Sequence, residues 1–473
     1  VTTAHVAILG GGPAGVGAAY QLRRLKRAGV TLLEQQQTAG GNAGSFELEG
    51  LRVDYGSHRL HPACDPAILA DIRGLLGGDL LDRPRHGRIR LRGRWIHFPL
   101  QPVDLALRLD PGFALGSLRD AVLKPFRGGG SEASFAAVLR ASLGPTICDS
   151  FYFPYARKIW GRAPSELSAI QARRRVSASS FSKLARKLLA QAPGLKRPGA
   201  GRFFYPRRGY GQISEAYAAA AQAAGADLRF GRRVTRIGAP RAPEEPWTIE
   251  AEANGGREIT QADQLWSTIP IPMLARLLGD ATPAEVFEAA GRLEYRAMVL
   301  VYLVLPVAQF SEYDAHYFPG EDVRITRLSE PKNYAELREP ADRTVLCAEL
   351  PCSVEEGAWS MSNAALGELV AHDLARAGIP LPAEPRAVEV RRLRQAYPIY
   401  TIGYERWFGV LDAWVESVPR LLSYGRQGLF AHDNTHHALA MAYAAADCLV
   451  GGSFQRDRWA EHRRVFETHV VED

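Results

Sequence analysis

Gly10, Gly12 and Gly15 stand in "VAILGGGPAGVGAAYQL", where the apolar run Val6 to Leu9 leads into a glycine turn and then an alanine-rich helical pattern. Glycine lets the backbone turn tightly and approach a pyrophosphate, whose charge is stabilised by the free N–H groups of a helix N-terminus. A second apolar run, "VTLLE", ends in Glu34, 19 residues after Gly15. An acid at that spacing accepts hydrogen bonds from a ribose hydroxyl pair. Together these four residues predict a Rossmann-type dinucleotide site.

Near the other end, "HDNTHH" offers two readings. His432 and His436 are four apart and would share a helix face, as metal ligands do. Asp433, Asn434 and Thr435 are equally N-cap residues for the alanine-rich helix that follows, whose dipole and free N–H groups suit an electron-rich ligand edge. The capping reading is preferred, and no metal site is expected. Cys64, Cys148, Cys347, Cys352 and Cys448 show neither a CxxC pair nor zinc spacing. No Ser/His/Asp or Cys/His arrangement marks a side-chain nucleophile.

These residues need elements to hold them. Residues 1–95 read as β/α, residues 406–473 hold another strand–turn–helix, and "ADLRFGRRVTRIGA" with "WTIEAEANGG" supplies β-segments in between. The fold expected is α/β: a discontinuous Rossmann-type domain built from 1–95, 201–290 and 406–473. A helical insertion over 96–200 and a β-sheet substrate domain over 291–405 complete it, the latter opening on the buried strand "AMVLVYLVL". Within the insertion, the stretch beginning at Phe181 places Phe181, Leu184 and Leu188 on one helical face. Such a stripe reads as a core-facing helix with a solvated back rather than a membrane contact.

Composition sets the outer bounds. With 473 residues, 46% of them hydrophobic and 23% charged, the chain has room for two or three packed domains and is not of the disordered class. The net charge of +7 is spread along the sequence, which suits anionic small ligands and gives no reason to expect nucleic acid. No apolar run reaches the roughly 20 residues that span a bilayer, so no integral membrane segment is expected. Scattered cysteines and the absence of a leader pattern predict a cytoplasmic protein that is not exported by a cleaved signal.

Further motifs carry a resemblance. "EQQQTAGGNAGSF", with Gly41, and "LRVDYGSHRLHP" continue the nucleotide motif as flavoproteins of the amine oxidase and protoporphyrinogen oxidase type do. Within that group "YGSHRLHP", "GRWIHFPLQ", "FYFPYARKIWGRAPSELSAIQARRRV", "FFYPRRGYGQI" and "HYFPGEDVRITRLSEPKNY" resemble the UDP-galactopyranose mutases over most of the chain. The resemblance implies FAD as cofactor, with His58 near flavin N5, Val234 at the adenine and His437 by the flavin pyrimidine. It implies a nucleotide diphosphate held by Gln101, Arg175, Tyr317, Arg327, Tyr397 and Asn434. His58, Arg175 and Arg327 are the residues it places nearest the chemistry.

The function implied is an FAD-dependent mutase that interconverts pyranose and furanose forms of a nucleotide-diphosphate sugar, through attack of flavin N5 on the anomeric carbon. Reduced flavin is then required, with NAD(P)H as a possible reductant. The alternative is a net redox flavoenzyme, an oxidase or dehydrogenase acting on a nucleotide sugar or a secondary-metabolite intermediate. Ala200 and His436 stand where the mutases carry an asparagine and an acid. These departures predict an altered choice of sugar or nucleotide, or a different reaction.

Overall fold

The computed structural model describes residues 4–100, 104, 107–124, 133–175, 201–253 and 255–471, apart from the Arg175 side chain. Gln101, that side chain, Ala200 and the amphipathic stretch beginning at Phe181 lie outside the described residues.

Two sheets position everything else. One is five-stranded and wholly parallel, in the order Leu421–Ser423, Gln264–Ser267, His5–Leu9, Gly29–Leu33, Asp227–Arg229. Its strands come from three distant stretches of sequence, within 5–33, 227–267 and 421–423. Parallel strands buried on both faces read as unbroken apolar runs. Accordingly Val6 and Ile8 enter one apolar cluster while Ala7 and Leu9 enter another on the opposite face. On the first face the helix Pro13–Arg24 packs between Gln212–Ala223 and Thr435–Cys448; on the second lie Ile271–Leu278, Ala284–Arg292 and Tyr404–Ser417.

The other sheet is seven-stranded and mixed, ordered Ala387–Ile399, Glu294–Leu305, Thr344–Cys352, Arg327–Ser329, Ala315–Tyr317, Gly87–Leu91, Arg94–Phe98. Its spine is Glu294–Leu305, paired antiparallel on both sides. Side chains alternate across a strand. Val299, Val301, Leu303 and Leu305 therefore meet Leu366, Leu369, Val370 and Leu374 of the helix Asn363–Arg376, while Met298, Leu300, Tyr302 and Val304 meet Leu51 and Val53. Burial on both faces explains the continuous run "AMVLVYLVL". The covering helix starts where Ser362 Oγ accepts the Ala365 N–H at 3.2 Å, an N-cap that satisfies one of the first-turn donors.

The sheet also takes two strands from outside 291–405. Gly87–Leu91 joins Ala315–Tyr317 in parallel and forms a hairpin with Arg94–Phe98. Beyond that hairpin, helices Pro111–Leu123, Phe135–Leu143, Phe153–Trp160 and Ala169–Arg175 lie in the described part of 96–200.

Candidate active site

Between the carboxyl ends of the parallel strands and one face of the mixed sheet runs a cleft of about 950 Å³, near the upper end of small-molecule sites. Gly10, Gly12, Glu34, Gly41, His58, Tyr317, Arg327, Tyr397 and Asn434 all line it. Residues drawn from six separate motifs are thus brought to one wall-to-wall space. Val234 is not among the lining residues; its side chain packs on the apolar cluster beneath the parallel sheet. His437 stands behind the lining, at the third position of the helix Thr435–Cys448.

At the nucleotide end the glycines divide the work. Gly10 has φ +98°, a left-handed conformation that favours glycine, and Gly15 lies so close to the turn that a Cβ there would sit 1.9 Å from the Gly10 carbonyl oxygen. A Cβ on Gly12 would meet nothing nearer than 4.0 Å, which leaves the cleft open at the helix N-terminus. Glu34 is buried and accepts the N–H groups of Gly11 at 2.6 Å and Gln36 at 2.8 Å. Burial pushes its carboxyl above the usual range while these N–H groups favour the charged form. The carboxylate stays fixed at the cleft edge with lone pairs to spare for hydroxyls.

His58 holds a defined orientation. Its Nε2 lies 2.9 Å from the Asn42 carbonyl oxygen and 3.0 Å from that of Tyr55, and its ring stacks on Tyr210 at 5.3 Å. Burial lowers its pKa, so the ring is neutral at pH 7. Two carbonyl acceptors at Nε2 fix the proton there and leave Nδ1 as an acceptor.

Arg327 meets Glu349 from the neighbouring strand in a two-bond fork, Nε to Oε1 and Nη2 to Oε2, each at 2.9 Å. Glu349 Oε1 also accepts the Ser57 N–H at 2.8 Å. Burial opposes the guanidinium charge, but Glu349 and the nearby Tyr317, Tyr397 and Tyr155 hold it firmly protonated. Arg59 is a second buried guanidinium. It donates to the Tyr317 hydroxyl at 2.8 Å, to Asp314 at 3.1 Å and to the Tyr334 hydroxyl at 3.2 Å, and lies over the rings of Phe203 and Tyr334.

Helix Phe153–Trp160 contributes to the site twice. Tyr155 and Ile159 face the cleft, while Lys158 Nζ donates to the carbonyls of Phe318 at 2.5 Å, Ile325 at 2.8 Å and Gly320 at 2.9 Å. Burial lowers the Lys158 ammonium to about 7, against the opposing pull of the Asp373, Asp322 and Glu321 carboxylates. Lys158 thus ties down the loop that joins Tyr317 to Arg327, together with Asp373, whose Oδ2 accepts the Arg324 and Ile325 N–H groups at 2.7 and 3.1 Å.

At the far end Asn434 caps the helix Thr435–Cys448: its side chain accepts the His437 N–H, and His437 Nδ1 accepts the Asn434 N–H at 3.3 Å. His432 is buried with Nε2 3.1 Å from Gln171 Oε1. Sequence reasoning missed Arg59, Glu349 and Asp314. Arg59 sits beside His58 inside a motif already singled out; nothing in "TVLCAELPC" marks Glu349 until strand pairing sets it opposite Arg327.

Known structures share this architecture. A reduced UDP-galactopyranose mutase superposes with a TM-score of 0.80 at 22% identity, covering 99% of this chain and 100% of that one. A putrescine oxidase with bound putrescine gives 0.66 at 18% identity, covering 94% and 98%. In sequence, a phytoene dehydrogenase of Streptomyces griseus is 26% identical over 300 residues, which is 58% of this chain and 56% of that protein. A mitochondrial protoporphyrinogen oxidase of Nicotiana tabacum is 28% identical over 172 residues, 35% of this chain and 34% of that protein. These matches span about half or less of the relatives' own lengths. Over residues 13–438 the sequence matches the family described as flavin containing amine oxidoreductase, and with the nucleotide cradle in place the chain belongs to that family of FAD-dependent enzymes.

Proposed function

We propose that this protein is a sugar-nucleotide mutase that exchanges the pyranose and furanose forms of a nucleotide-diphosphate sugar. The observation that carries the reading is the convergence of Arg327, Arg59, Tyr317 and Tyr397 on one wall of the cleft whose other wall is the dinucleotide cradle. Guanidinium groups and phenols around a common space suit a diphosphate, because both donate hydrogen bonds to its oxygens and the guanidinium keeps its charge at any working pH. The full-length likeness in fold to a UDP-galactopyranose mutase supports it.

The cradle fits FAD. The open space above Gly12 and the Pro13–Arg24 helix N-terminus would take the pyrophosphate, and Glu34 would accept the ribose hydroxyls. Bound flavin supplies a ring nitrogen that, when reduced, is nucleophilic toward carbon and, when oxidised, accepts hydride. The protein's own groups bind and orient. Arg59 donates to the Tyr317 oxygen and so frees the phenol proton for a phosphate oxygen. Glu349 occupies Nε and Nη2 of Arg327 and leaves Nη1 for the ligand. His58, neutral and committed through Nε2 to two carbonyls, is a positioning residue that offers only an acceptor at Nδ1. Gln101, Arg175 and Asn434 complete the proposed substrate contacts.

The second reading, a net oxidase or dehydrogenase, is favoured by the two sequence relatives, both named for redox reactions. The test is anaerobic mixing of the yellow protein with UDP-, GDP- and dTDP-sugars in both flavin states, following flavin absorbance and product mass. Isomer formed only with pre-reduced flavin, at unchanged mass, is the result expected. Bleaching of oxidised flavin with loss of two hydrogens from the substrate would replace the mutase by the redox reading.

A further inference from the structure

Behind the N-terminus of the Thr435–Cys448 helix, the C-terminal segment folds back and lays His469 on His437, ring centroids 4.1 Å apart and 13° from parallel. Their Nδ1 atoms converge on one carboxylate oxygen. Asp433 Oδ1 lies 3.6 Å from His437 Nδ1 and 3.5 Å from His469 Nδ1, and the three ligand atoms all lie within 4.8 Å of one another. These separations are too long for hydrogen bonds. They match the edge of a coordination polyhedron, since two ligands at about 2.0–2.1 Å from a tetrahedral ion stand about 3.3–3.4 Å apart.

The Asp433 side chain is itself fully buried, and neither of its oxygens has a hydrogen-bond partner among the described residues. His469 Nδ1 is likewise buried and unpartnered. A buried carboxylate without hydrogen bonds is unfavourable unless a cation compensates it. Arg426 donates to the Asp433 carbonyl oxygen and not to the carboxylate. His437 Nδ1 does have one partner, the Asn434 N–H at 3.3 Å, a long bond that ligation would replace. This is not the pair that sequence spacing offered, because His432 is engaged by Gln171.

We infer that Asp433, His437 and His469 form a mononuclear site for a divalent first-row transition ion of the zinc class. Two imidazoles and one carboxylate suit such ions and not magnesium or calcium, which want oxygen donors throughout. Three protein ligands leave a coordination position open. The site is independent of whether the reaction is isomerisation or oxidation.

The test uses the untagged flavin-loaded protein, freed of metal with a chelator and titrated with Co²⁺, whose visible absorption reports nitrogen and oxygen ligation, followed by competition with Zn²⁺. One saturable equivalent is expected. Asp433→Asn and His469→Ala should each weaken it by at least about tenfold to hundredfold, the loss that even a group behind a ligand produces. His372→Ala, at an exposed histidine, should leave it unchanged. Unaltered affinity and spectrum in either ligand variant would overturn the three-ligand site. So would the absence of a saturable equivalent on the wild-type protein, whatever the variants do.

Discussion

The Arg327–Glu349 fork joins two groups that are each unfavourable to bury alone. Removing one partner of such a pair costs about 3–5 kcal/mol, whereas replacing both with apolar residues is near neutral. Arg327→Met should therefore lower the melting temperature sharply and, on the proposed function, weaken binding of a nucleoside diphosphate at least about tenfold, since the charge-assisted contact from Nη1 is lost. The double variant Arg327→Met with Glu349→Leu should regain most of the stability and none of the binding, which calorimetry and ligand titration would separate. Neither residue's pairing was legible in the sequence. Arg327 came from a motif, but Glu349 is 22 positions away and meets it only through the register that sets these two residues opposite one another. Arg59 and Asp314 are 255 apart, and no local signal joins them.

His316 makes a prediction about pH. Its side chain is buried among aromatic rings, and burial, with Arg88 adding to it, lowers its pKa to about 3. The unfolded chain takes up that proton near pH 6.5, so between these values the unfolded state binds more protons and stability falls as pH falls. The slope attributable to this one group is about 1.4 kcal/mol per pH unit below pH 6.5. Its Nε2 has no partner to lose, so His316→Phe should fold and should flatten the acid side of the curve by that amount in urea midpoints taken from pH 7 to pH 5.

At the scale of elements, the strand–turn–helix that cradles the nucleotide was the most legible part of the chain. Its signals are local: a buried parallel strand, a left-handed turn residue and a helix pressed against the turn. Gly15→Ala tests the last of these. A Cβ 1.9 Å from a backbone oxygen cannot be relieved by a rotamer, so the helix must shift. We expect overpacking of about 1–3 kcal/mol and flavin affinity reduced about tenfold or more, read as the flavin-to-protein absorbance ratio after gel filtration. Ser362→Ala is the contrasting case. It removes the cap of a helix that packs behind the mixed sheet, and should cost about 1 kcal/mol with flavin content unchanged.

The two strands at 87–98 were harder to foresee as part of the mixed sheet. An aromatic hairpin is readable in "GRIRLRGRWIHF", but the parallel pairing that attaches it to Ala315–Tyr317 is a long-range choice that no local pattern encodes.

For the whole molecule, the cleft lies between two sheets, so a ligand filling it contacts both. Bound flavin should stabilise the entire fold, by about 2.7 kcal/mol at a hundredfold excess over its dissociation constant. Removing it should lower a single melting transition and leave its cooperativity intact, which differential scanning calorimetry would show. Among the described residues no helix is long and apolar enough to cross a membrane, as expected from the absence of a long apolar run.

The parallel sheet has a last consequence, in time. Its central strand, His5–Leu9, leaves the ribosome more than four hundred residues ahead of the edge strand Leu421–Ser423. At about 5–20 residues per second that interval is roughly 20–80 seconds. Throughout it, the nascent nucleotide half lacks both that edge and the Thr435–Cys448 helix that covers one face. A complete flavin cradle must await the Thr435–Cys448 helix, whose N-terminus lines the cleft, and the cell has to shelter an incomplete sheet until that helix is made.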